Sequence, residues 1–342
     1  MQKIHENILK WYDQNGRKDL PWRILHDQYK KYAKVDDLER LKHIDIAYAV
    51  YVSEIMLQQT QVKSVLQNYY FQFLVQFPSL KILALSSEDE VLKAWQGLGY
   101  YTRARNLYQC AKICMQKWDA KLPADVEKLQ TLPGIGEYTA GAIACFGFLQ
   151  AQAFVDANIK RVLSRFYSLQ NPNSKLLMQK AKELLNYKNP FEHNQALLDI
   201  GALLCLPKNA KCKLCPLEEF CSGKNEYKKF HTSKKIQYQN ITLDILIVQK
   251  NQYFLLEQSK EKLYFNLYNF LTYKGEKNAS YLGEFKHTYT KYKINARVYF
   301  LKDDQFQDQG FKAVLDKELE QLTLSKLAVK AFEIYKKSVD AV

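Results

Sequence analysis

Four of the chain's seven cysteines lie in one short stretch, where their thiolates could hold a metal centre. Cys205, Cys212, Cys215 and Cys221 are separated by six, two and five residues. Four thiolates bind either a tetrahedral zinc ion or a 4Fe–4S cluster, and the two-residue gap between the middle pair suits both. A zinc ribbon usually has two CxxC pairs set well apart, whereas this stretch has one. The compact, uneven spacing therefore favours the iron–sulfur cluster.

A second motif that could bind a ligand is the glycine turn in LPGIGEYTAGAI, residues 132–143. Gly134 and Gly136 allow a tight turn directly before a helical pattern, so that backbone N–H groups point outward at the N-terminus of a helix. Such a turn can bind phosphate without a charged side chain. An ordinary connection between two helices would carry the same glycines, so the turn alone leaves both interpretations open.

The overall charge favours a polyanionic partner. The chain has 50 Lys and Arg against 36 Asp and Glu, a formal net charge of +14. Lys208, Lys211 and Lys213 lie between the cysteines, so that loop presents positive charge suited to a phosphate backbone. Nucleic acid is the first expectation and an anionic membrane surface the second. Many basic proteins do not bind DNA, so the net charge supports nucleic-acid binding only in combination with the cysteine and glycine motifs.

The elements that must position these motifs are predicted to be helices up to the last cysteine. Apolar residues recur every three or four positions through residues 46–76 and again through residues 92–118. The charged segment 25–45 interrupts this pattern, and we interpret it as a solvated insertion. Residues 1–222 are thus expected to form a helical domain, followed by a polar and basic linker at residues 223–237.

Beyond the linker the sequence pattern changes from helix to strand. Short segments rich in β-branched and aromatic residues predict strands at residues 241–249, 252–258, 281–290 and 294–302. A helical pattern follows at residues 324–337. Residues 238–342 are therefore expected to form a small α+β domain.

The sequence carries no pattern typical of export or membrane insertion. The first fourteen residues are amphipathic and include acidic side chains, unlike a secretory signal. No apolar run approaches the roughly 20 residues that span a bilayer. We expect a cytoplasmic protein without a membrane partner, and its cysteines are not expected to form disulfides in that reducing compartment.

Several stretches together resemble the MutY-type adenine glycosylases of the endonuclease III superfamily. They are VSEIMLQQTQV at 52–62, GLGYYTRARNL at 97–107, LPGIGEYTAGAI at 132–143 and VDANIKRVLSR at 155–165, followed by the cysteine spacing. The resemblance covers nearly all of residues 1–222. It implies a mainly α fold in which two helical subdomains flank a cleft, one with a helix-hairpin-helix and the other closed by the 4Fe–4S loop. It also implies a Nudix-like C-terminal domain.

The resemblance implies removal of a base without cleavage of the DNA strand. Bifunctional members carry a Schiff-base lysine just after the hairpin, where this chain has Tyr138, so no amine nucleophile is expected there. Glu54 matches the acid that protonates adenine, and burial on an apolar helix would let it hold a proton near neutral pH. Asp156 matches the carboxylate that stabilises the sugar cation. Without the family match, Glu54 would be an ordinary solvated residue and Asp156 a helix cap.

The resemblance assigns supporting roles around these two carboxylates. Asn158 belongs beside Asp156, and Tyr138 belongs at the sugar. The adenine pocket is assigned Arg23, in LPWR, and Gln195, in HNQALLDIGALLC.

Further residues are expected to contact the DNA. Because a base extruded from the duplex leaves a gap, a side chain must fill it, and the candidates are Gln58, Gln59 and Tyr100. Phosphate contacts are expected from the hairpin glycines Gly134 and Gly136 and from Arg103 and Arg105.

The base opposite the adenine is expected to be read in FKHTYTKYKI, residues 285–294. The family's Phe-Ser-His triplet appears here as Tyr289, Thr290 and Lys291. Thr290 keeps the hydroxyl, whereas Lys291 replaces an imidazole with a longer cation that cannot accept a hydrogen bond. The glutamate run of active Nudix hydrolases is missing, so we expect no pyrophosphate hydrolysis.

The expected function is base excision repair by a monomeric enzyme that associates with the bacterial nucleoid when on DNA. It would hydrolyse the N-glycosidic bond of adenine mispaired with 8-oxoguanine or guanine in double-stranded DNA. One alternative is a pyrimidine-lesion glycosylase with lyase activity, against which Tyr138 and Glu54 argue. Two others are a non-catalytic iron–sulfur DNA-binding protein and a zinc-binding structural module.

Overall fold

The structure is a computed structural model that describes residues 1–230, 237–260, 264–276 and 278–339. It divides into two compact units, Met1–Glu88 with Thr102–Ser233 and Asp89–Tyr101 with Lys234–Val342. The division falls inside the predicted linker 223–237, of which residues 231–236 lie outside the described part. Lys224–Phe230 forms 3-10 turns in the first unit, so ordered structure continues past residue 222. The predicted boundaries place 89–101 in the first domain, whereas the contacts group it with the second unit.

Helices dominate the chain as far as the cysteines, and the predicted helices at 46–76 and 92–118 are confirmed. They are α1 Gln2–Asn15, α2 Val35–Leu41, α3 Ile46–Leu57, α4 Val62–Asn68, α5 Tyr70–Gln76, α6 Leu80–Leu85, α7 Glu88–Ala94, α8 Thr102–Lys117, α9 Val126–Gln130, α10 Glu137–Phe148, α11 Ala157–Phe166, α12 Ser174–Leu184 and α13 Pro190–Asp199. A π-helical turn, Ile200–Leu204, follows α13. Among the described residues, no helix combines the length and apolarity that crossing a bilayer requires.

Helix α3 is the central element of the first unit. Asp45 caps its N-terminus by accepting a hydrogen bond from the Tyr48 backbone N–H at 2.9 Å. Every residue from Ala47 to Met56 is buried, as expected of a helix that is apolar on all sides. α3 packs against α10, which is buried over most of its length. Polar side chains on these two helices are therefore held away from water.

The segment 25–45 is only partly solvated, so its interpretation as a solvated insertion is wrong for its apolar residues. Leu25, Tyr29 and Leu41 are buried. The Tyr29 ring stacks on Phe191 with centroids 4.2 Å apart, and its hydroxyl donates to Glu192 at 2.7 Å. The charged residues of α2 point largely to solvent, and the aromatic contacts fix the segment to α13.

The second unit is the predicted α+β domain, and its predicted strands and closing helix are confirmed. The elements are β1 Gln239–Lys250, β2 Tyr253–Gln258, β3 Tyr268–Asn269, β4 Leu271–Thr272, β5 Ser280–Tyr289, β6 Tyr292–Lys302, β7 Lys312–Leu315, α14 Asp316–Leu319 and α15 Lys326–Val339. The strand order is β3-β2-β1-β6-β5, with β4 beside β1 and β7 beside β2. β1 and β6 run parallel, and the other pairs are antiparallel. α15 contributes Ala331 and Phe332 to a core shared with Ile247 and Val298.

Candidate active site and cysteine cluster

A cleft of about 960 Å³ in the first unit brings together the residues predicted to be catalytic. Glu54 reaches it from α3, Tyr138 from α10, and Asp156 and Asn158 from the start of α11. The candidate pocket residues Arg23 and Gln195 line the same cleft. Residues more than a hundred positions apart in sequence thus share one site, as the resemblance implies.

Glu54 is an acid held in a largely dry environment. Its side chain is 6% exposed, and the Tyr138 hydroxyl donates to its Oε2 at 2.6 Å. Burial is the main cause that raises the pKa of Glu54 to about 7, and the Asp156 charge acts in the same direction. The Tyr138 hydrogen bond and Arg23 oppose this rise. Glu54 can therefore keep a proton near neutral pH, as a general acid requires.

Asp156 is a helix cap and a candidate catalytic carboxylate at once. Its Oδ1 accepts from the Ile159 backbone N–H at 2.6 Å, and its Oδ2 accepts from Asn158 Nδ2 at 2.9 Å. Burial raises the pKa of Asp156, and these hydrogen bonds oppose the rise. The positive end of the α11 dipole also favours a carboxylate here. The capping interpretation and the catalytic one are therefore compatible.

The sequence analysis missed Asp199, which fixes the pocket arginine. Arg23 Nη1 and Nη2 donate to the two carboxylate oxygens of Asp199 at 2.8 and 2.9 Å, and Arg17 Nη2 donates at 2.6 Å. Burial would raise the pKa of Asp199, but the two arginines outweigh it and lower this pKa. Buried Arg23 Nε has no hydrogen-bond partner among the described residues. The sequence did contain a clue to this role: Asp199 lies four residues after Gln195, one turn later on the same helix.

Two of the three candidates for filling the DNA gap, Gln59 and Tyr100, have left-handed backbone. Gln58 and Gln59 follow α3 and line the cleft, and Gln59 has a φ of 58°. Tyr100 has a φ of 49° and is 40% exposed on the segment that belongs to the second unit. Positive φ is uncommon for residues other than glycine, and such strain concentrates at functional sites.

The hairpin glycines join two helices as a helix-hairpin-helix requires. Gly134 has a φ of 77° in the turn between α9 and α10, and Gly136 caps the N-terminus of α10. A Cβ atom on Gly134 would lie 2.8 Å from the Cβ of Asn106, whereas one on Gly136 would meet open space. The first position therefore needs glycine, and the second leaves the backbone accessible.

Arg103 does not lie where a phosphate contact needs it. The side chain is buried, and its Nη1 donates to the carbonyls of Ile55, Met56 and Gln58 at the end of α3. The expectation that Arg103 contacts phosphate is therefore wrong, since its charge caps the C-terminus of α3. Arg105 forms an ion pair with Glu88 at 3.4 Å, and its phosphate contact stays a prediction.

The four clustered cysteines line one small cavity in the first unit. No three His, Cys, Asp or Glu side chains in the described part of the chain converge as ligands of a single metal ion. Buried Arg165 donates from Nη1 to Cys205 Sγ at 3.2 Å and to the Leu206 carbonyl at 2.8 Å. Arg161 Nη2 donates to Asn158 Oδ1 at 2.9 Å, while its Nε donates to the Cys205 carbonyl at 2.6 Å. The sequence analysis missed both arginines.

The predicted lesion-reading residues form the turn between β5 and β6. Tyr289 pairs with Tyr292 across the turn, and Thr290 has a φ of 51°. A β-branched residue in the left-handed region is an outlier, and this strain costs on the order of 1–3 kcal/mol. The Lys291 carbonyl accepts from the Gln239 backbone N–H at 2.8 Å. The turn is therefore a strained feature held by its neighbours.

Comparison with known proteins first gives the class of protein. Residues 52–187 match the HhH-GPD superfamily of base excision DNA repair proteins. A solved thermostable thymine-DNA glycosylase is 26% identical with a TM-score of 0.56, covering 66% of this chain and 98% of its own. A trapped endonuclease III–DNA covalent intermediate has a TM-score of 0.50 at 17% identity, over 66% of this chain and 95% of its own, and shows the shared fold alone. Fold and site thus define a helix-hairpin-helix DNA glycosylase.

Curated relatives then give the family. Adenine DNA glycosylase of Buchnera aphidicola subsp. Baizongia pistaciae is 41% identical over 263 residues, covering 75% of this chain and 69% of that protein. Adenine DNA glycosylase of Homo sapiens is 42% identical over 224 residues, covering 64% of this chain and 39% of the human protein. The chain belongs to the MutY-type adenine DNA glycosylases.

Proposed function

We propose that the protein hydrolyses the N-glycosidic bond of adenine mispaired with 8-oxoguanine or guanine in double-stranded DNA. The main support for this proposal is a pair of buried carboxylates in one cleft. Glu54 has a pKa of about 7, and Asp156 is held by hydrogen bonds. Environments that separate the roles of two carboxylates are typical of glycosidic bond hydrolysis. The names of the relatives support adenine as the excised base.

The reaction follows from these positions. Glu54 gives its proton to N7 of the extruded adenine, and the C1′–N9 bond breaks with its electron pair leaving on the base. Asp156, with Asn158 beside it, stabilises the positive charge that develops on the sugar. Water then adds to C1′ and loses a proton to the Glu54 carboxylate, which restores the acid. The Tyr138 hydrogen bond orients Glu54 throughout.

We propose that the reaction stops at base removal. A lyase needs an amine that attacks C1′, and Tyr138 stands where bifunctional relatives carry their lysine. Lys160 also lines the cleft, but it is exposed, which favours a phosphate contact over the desolvated environment of a Schiff-base lysine. The products are therefore free adenine and an intact strand with an abasic site.

The decisive experiment uses end-labelled duplexes with adenine opposite 8-oxoguanine, guanine or thymine, each run with and without alkali. We expect strand breaks only after alkali, fastest opposite 8-oxoguanine and absent opposite thymine. Glu54→Gln should bind DNA and lose turnover, whereas Glu137→Gln, an exposed residue of the same cleft, should retain it. Breaks without alkali would identify a lyase, and binding without any product would identify a non-catalytic DNA-binding protein.

We propose that Tyr289, Thr290 and Lys291 read the base opposite the adenine. The strained backbone of Thr290 supports a functional turn, and its hydroxyl can donate or accept a hydrogen bond at a base edge. The Lys291 Nζ lies 5.3 Å from the centroid of the Tyr292 ring, so the turn also presents a positive charge. Thr290→Val keeps the β-branch and removes the hydroxyl, so it should narrow the rate difference between 8-oxoguanine and guanine, while Thr290→Ser should retain it.

We propose that Cys205, Cys212, Cys215 and Cys221 hold a 4Fe–4S cluster. The four cysteines line the same small cavity, and Arg165 supplies a hydrogen bond to Cys205 Sγ. The cluster would link Cys205, directly after the π-helical turn, to the loop that carries the other three cysteines, and Arg165 would connect this site to α11. Cys212→Ser should lower iron and sulfide content and stability together, and Cys114→Ala, a buried cysteine elsewhere, should keep four irons. A colourless wild-type protein containing zinc would contradict this proposal.

We propose that the protein is cytoplasmic and works as a monomer. A cytoplasmic location suits the four thiols, which a reducing compartment keeps available as ligands. Glu54, Tyr138 and Asp156 meet within one folded unit, so the proposed reaction needs no residue from a second copy, as expected of a working monomer. Light scattering of the protein with and without duplex checks the second proposal.

A further inference from the structure

An aromatic cluster lies beside the turn that carries Thr290. At its centre, the buried Tyr264 ring contacts Tyr289 with centroids 4.8 Å apart and planes tilted by 50°. The Tyr264 hydroxyl forms a hydrogen bond with His287 Nε2 at 3.0 Å. Since His287 and Tyr289 are two residues apart on β5, their side chains project from the same face of the strand. One tyrosine therefore holds the end of β5 at two points.

Tyr264 is itself fixed by its backbone. It has a φ of 59°, and its carbonyl accepts from the Leu267 N–H at 2.8 Å. The Leu267 carbonyl accepts from the Ser259 N–H at 2.9 Å, and the Ser259 carbonyl accepts from the Asn266 N–H at 2.8 Å. A positive φ for an aromatic residue persists only where surrounding contacts determine it. Tyr264 can therefore act as a rigid support.

The turn has supports on both of its strands. On the β6 side, Gln239 donates to the Lys291 carbonyl, and on the β5 side Tyr264 contacts Tyr289. Thr290 lies between these supports in left-handed backbone. Because hydrogen bonds weaken steeply with distance and angle, a small shift of Tyr289 would misplace the Thr290 hydroxyl. Contacts at Tyr264 can therefore set the position of the Thr290 hydroxyl through Tyr289.

A third tyrosine extends the cluster to the segment 89–101. Tyr101 packs against the same core as Tyr289. Burial is the main cause that raises the pKa of Tyr264, and the nearby Tyr289 and Tyr101 phenols add to the rise. Tyr101 directly follows Tyr100, the candidate for filling the gap left by the extruded adenine. Within the second unit, the cluster therefore joins the segment of Tyr100 to the turn of Thr290.

We propose that Tyr264 is a positioning residue for discrimination of the base opposite the adenine, acting through Tyr289 and His287 on the Thr290 turn and through Tyr101 on the Tyr100 segment. The proposal rests on the proposed reading of that base by Tyr289, Thr290 and Lys291. It assigns a specificity role to a residue outside that triplet and outside the catalytic cleft.

The test measures single-turnover excision by the full-length protein on A:8-oxoguanine and A:G duplexes. Tyr264→Phe removes the hydroxyl and keeps the ring, and it should lower the ratio of the two rates by about two- to tenfold, as expected for one hydrogen bond. Tyr264→Leu also removes the ring contact and should lower the ratio further. The A:G rate should change less than about twofold, because discrimination rather than chemistry is altered. Tyr273→Phe, in a tyrosine stacked on Tyr299 in the same unit, is the matched control.

Thr290→Val provides the decisive comparison. If Tyr264 acts through the turn, Tyr264→Phe should change the ratio in wild type and have little further effect in Thr290→Val. Additive effects of the two substitutions, or an unchanged ratio in both Tyr264 variants, would overturn the positioning role. A wild-type protein without preference for 8-oxoguanine would instead overturn the proposed reading of that base. Thermal unfolding of each variant separates a loss of fold from a loss of discrimination. If Tyr264→Leu does not fold, the result for Tyr264→Phe alone tests the proposal.

Discussion

At the residue scale, burial and a hydrogen bond have opposite effects on the pKa of Glu54. Burial on α3 favours its protonated form, while the 2.6 Å hydrogen bond from Tyr138 favours the carboxylate. The result, a pKa of about 7, divides the residue between its two states near neutral pH. A general acid works from the protonated state, so excision should slow as pH rises above 7. In the proposed reaction, Asp156 stabilises the sugar cation only when it is ionised, so excision should also slow at low pH.

Replacing Tyr138 should move the alkaline limb of the pH profile. Tyr138→Phe removes the hydrogen bond that lowers the Glu54 pKa, so this pKa should rise and the limb should shift to higher pH. Single-turnover excision rates of both proteins, measured from about pH 5 to about pH 10, test this shift, because that range lies between the ordinary pKa values of carboxyl and phenol groups. Tyr29→Phe, which loses a bond to Glu192, should leave the limb in place. An unmoved limb in Tyr138→Phe would assign it to another group.

At the element scale, the hairpin between α9 and α10 places two glycines in different conformations. Gly134 has positive φ and lies against Asn106, whereas Gly136 has ordinary φ and faces open space. The first glycine is needed to build the turn, and the second leaves room for a ligand to approach the N-terminus of α10. Stability and DNA binding should therefore respond differently at the two positions.

Alanine substitutions separate these two roles. Gly134→Ala should lower the free energy of unfolding by about 1–2 kcal/mol or more, since it adds left-handed strain and a steric clash. Gly136→Ala should keep the unfolding free energy and weaken duplex binding, because its methyl group occupies the approach to the helix N-terminus. Chemical denaturation and fluorescence anisotropy with a labelled duplex measure the two quantities. Unchanged DNA affinity in Gly136→Ala would argue against phosphate binding at this hairpin.

At the scale of the whole molecule, the pH dependence of folding stability should reflect His193, a buried histidine of the core. His193 is fully buried on α13, and neither ring nitrogen has a hydrogen-bond partner among the described residues. Burial is the main cause that lowers its pKa from 6.5 to about 3, with His5 adding to the effect. Between these two values the unfolded chain binds a proton that the folded protein excludes. Folding stability should therefore be complete above pH 6.5 and fall as pH approaches 3.

Removing the imidazole should flatten this part of the stability profile. His193→Leu eliminates the titration, so its unfolding free energy should lose less than that of wild type between pH 6.5 and pH 4 (the upper part of the window set by the shifted pKa). Urea denaturation at fixed ionic strength measures this difference. His43→Leu, at an exposed position, should follow the wild-type profile. Parallel wild-type and His193→Leu profiles would assign the acid sensitivity to carboxylates.

The sequence by itself determined the elements and the family. Apolar periodicity predicted the helices and the strands β1, β2, β5 and β6, because it records which face of each element avoids water. Motif order and cysteine spacing made Glu54, Asp156 and the four clustered cysteines candidates, since those residue types carry the chemistry. The solvated interpretation of 25–45 failed because periodicity does not show that Tyr29 stacks on a distant phenylalanine.

Only the tertiary structure decided what each charged side chain faces. It turned Arg103 from a phosphate contact into a cap of α3, paired Arg23 with Asp199, and placed Arg165 on Cys205. These partners lie tens to more than a hundred residues apart in sequence. A charge on one segment has the same appearance in a sequence whether it meets water, phosphate or a buried carboxylate. Its energy depends on distance and burial, which exist only once the chain has folded.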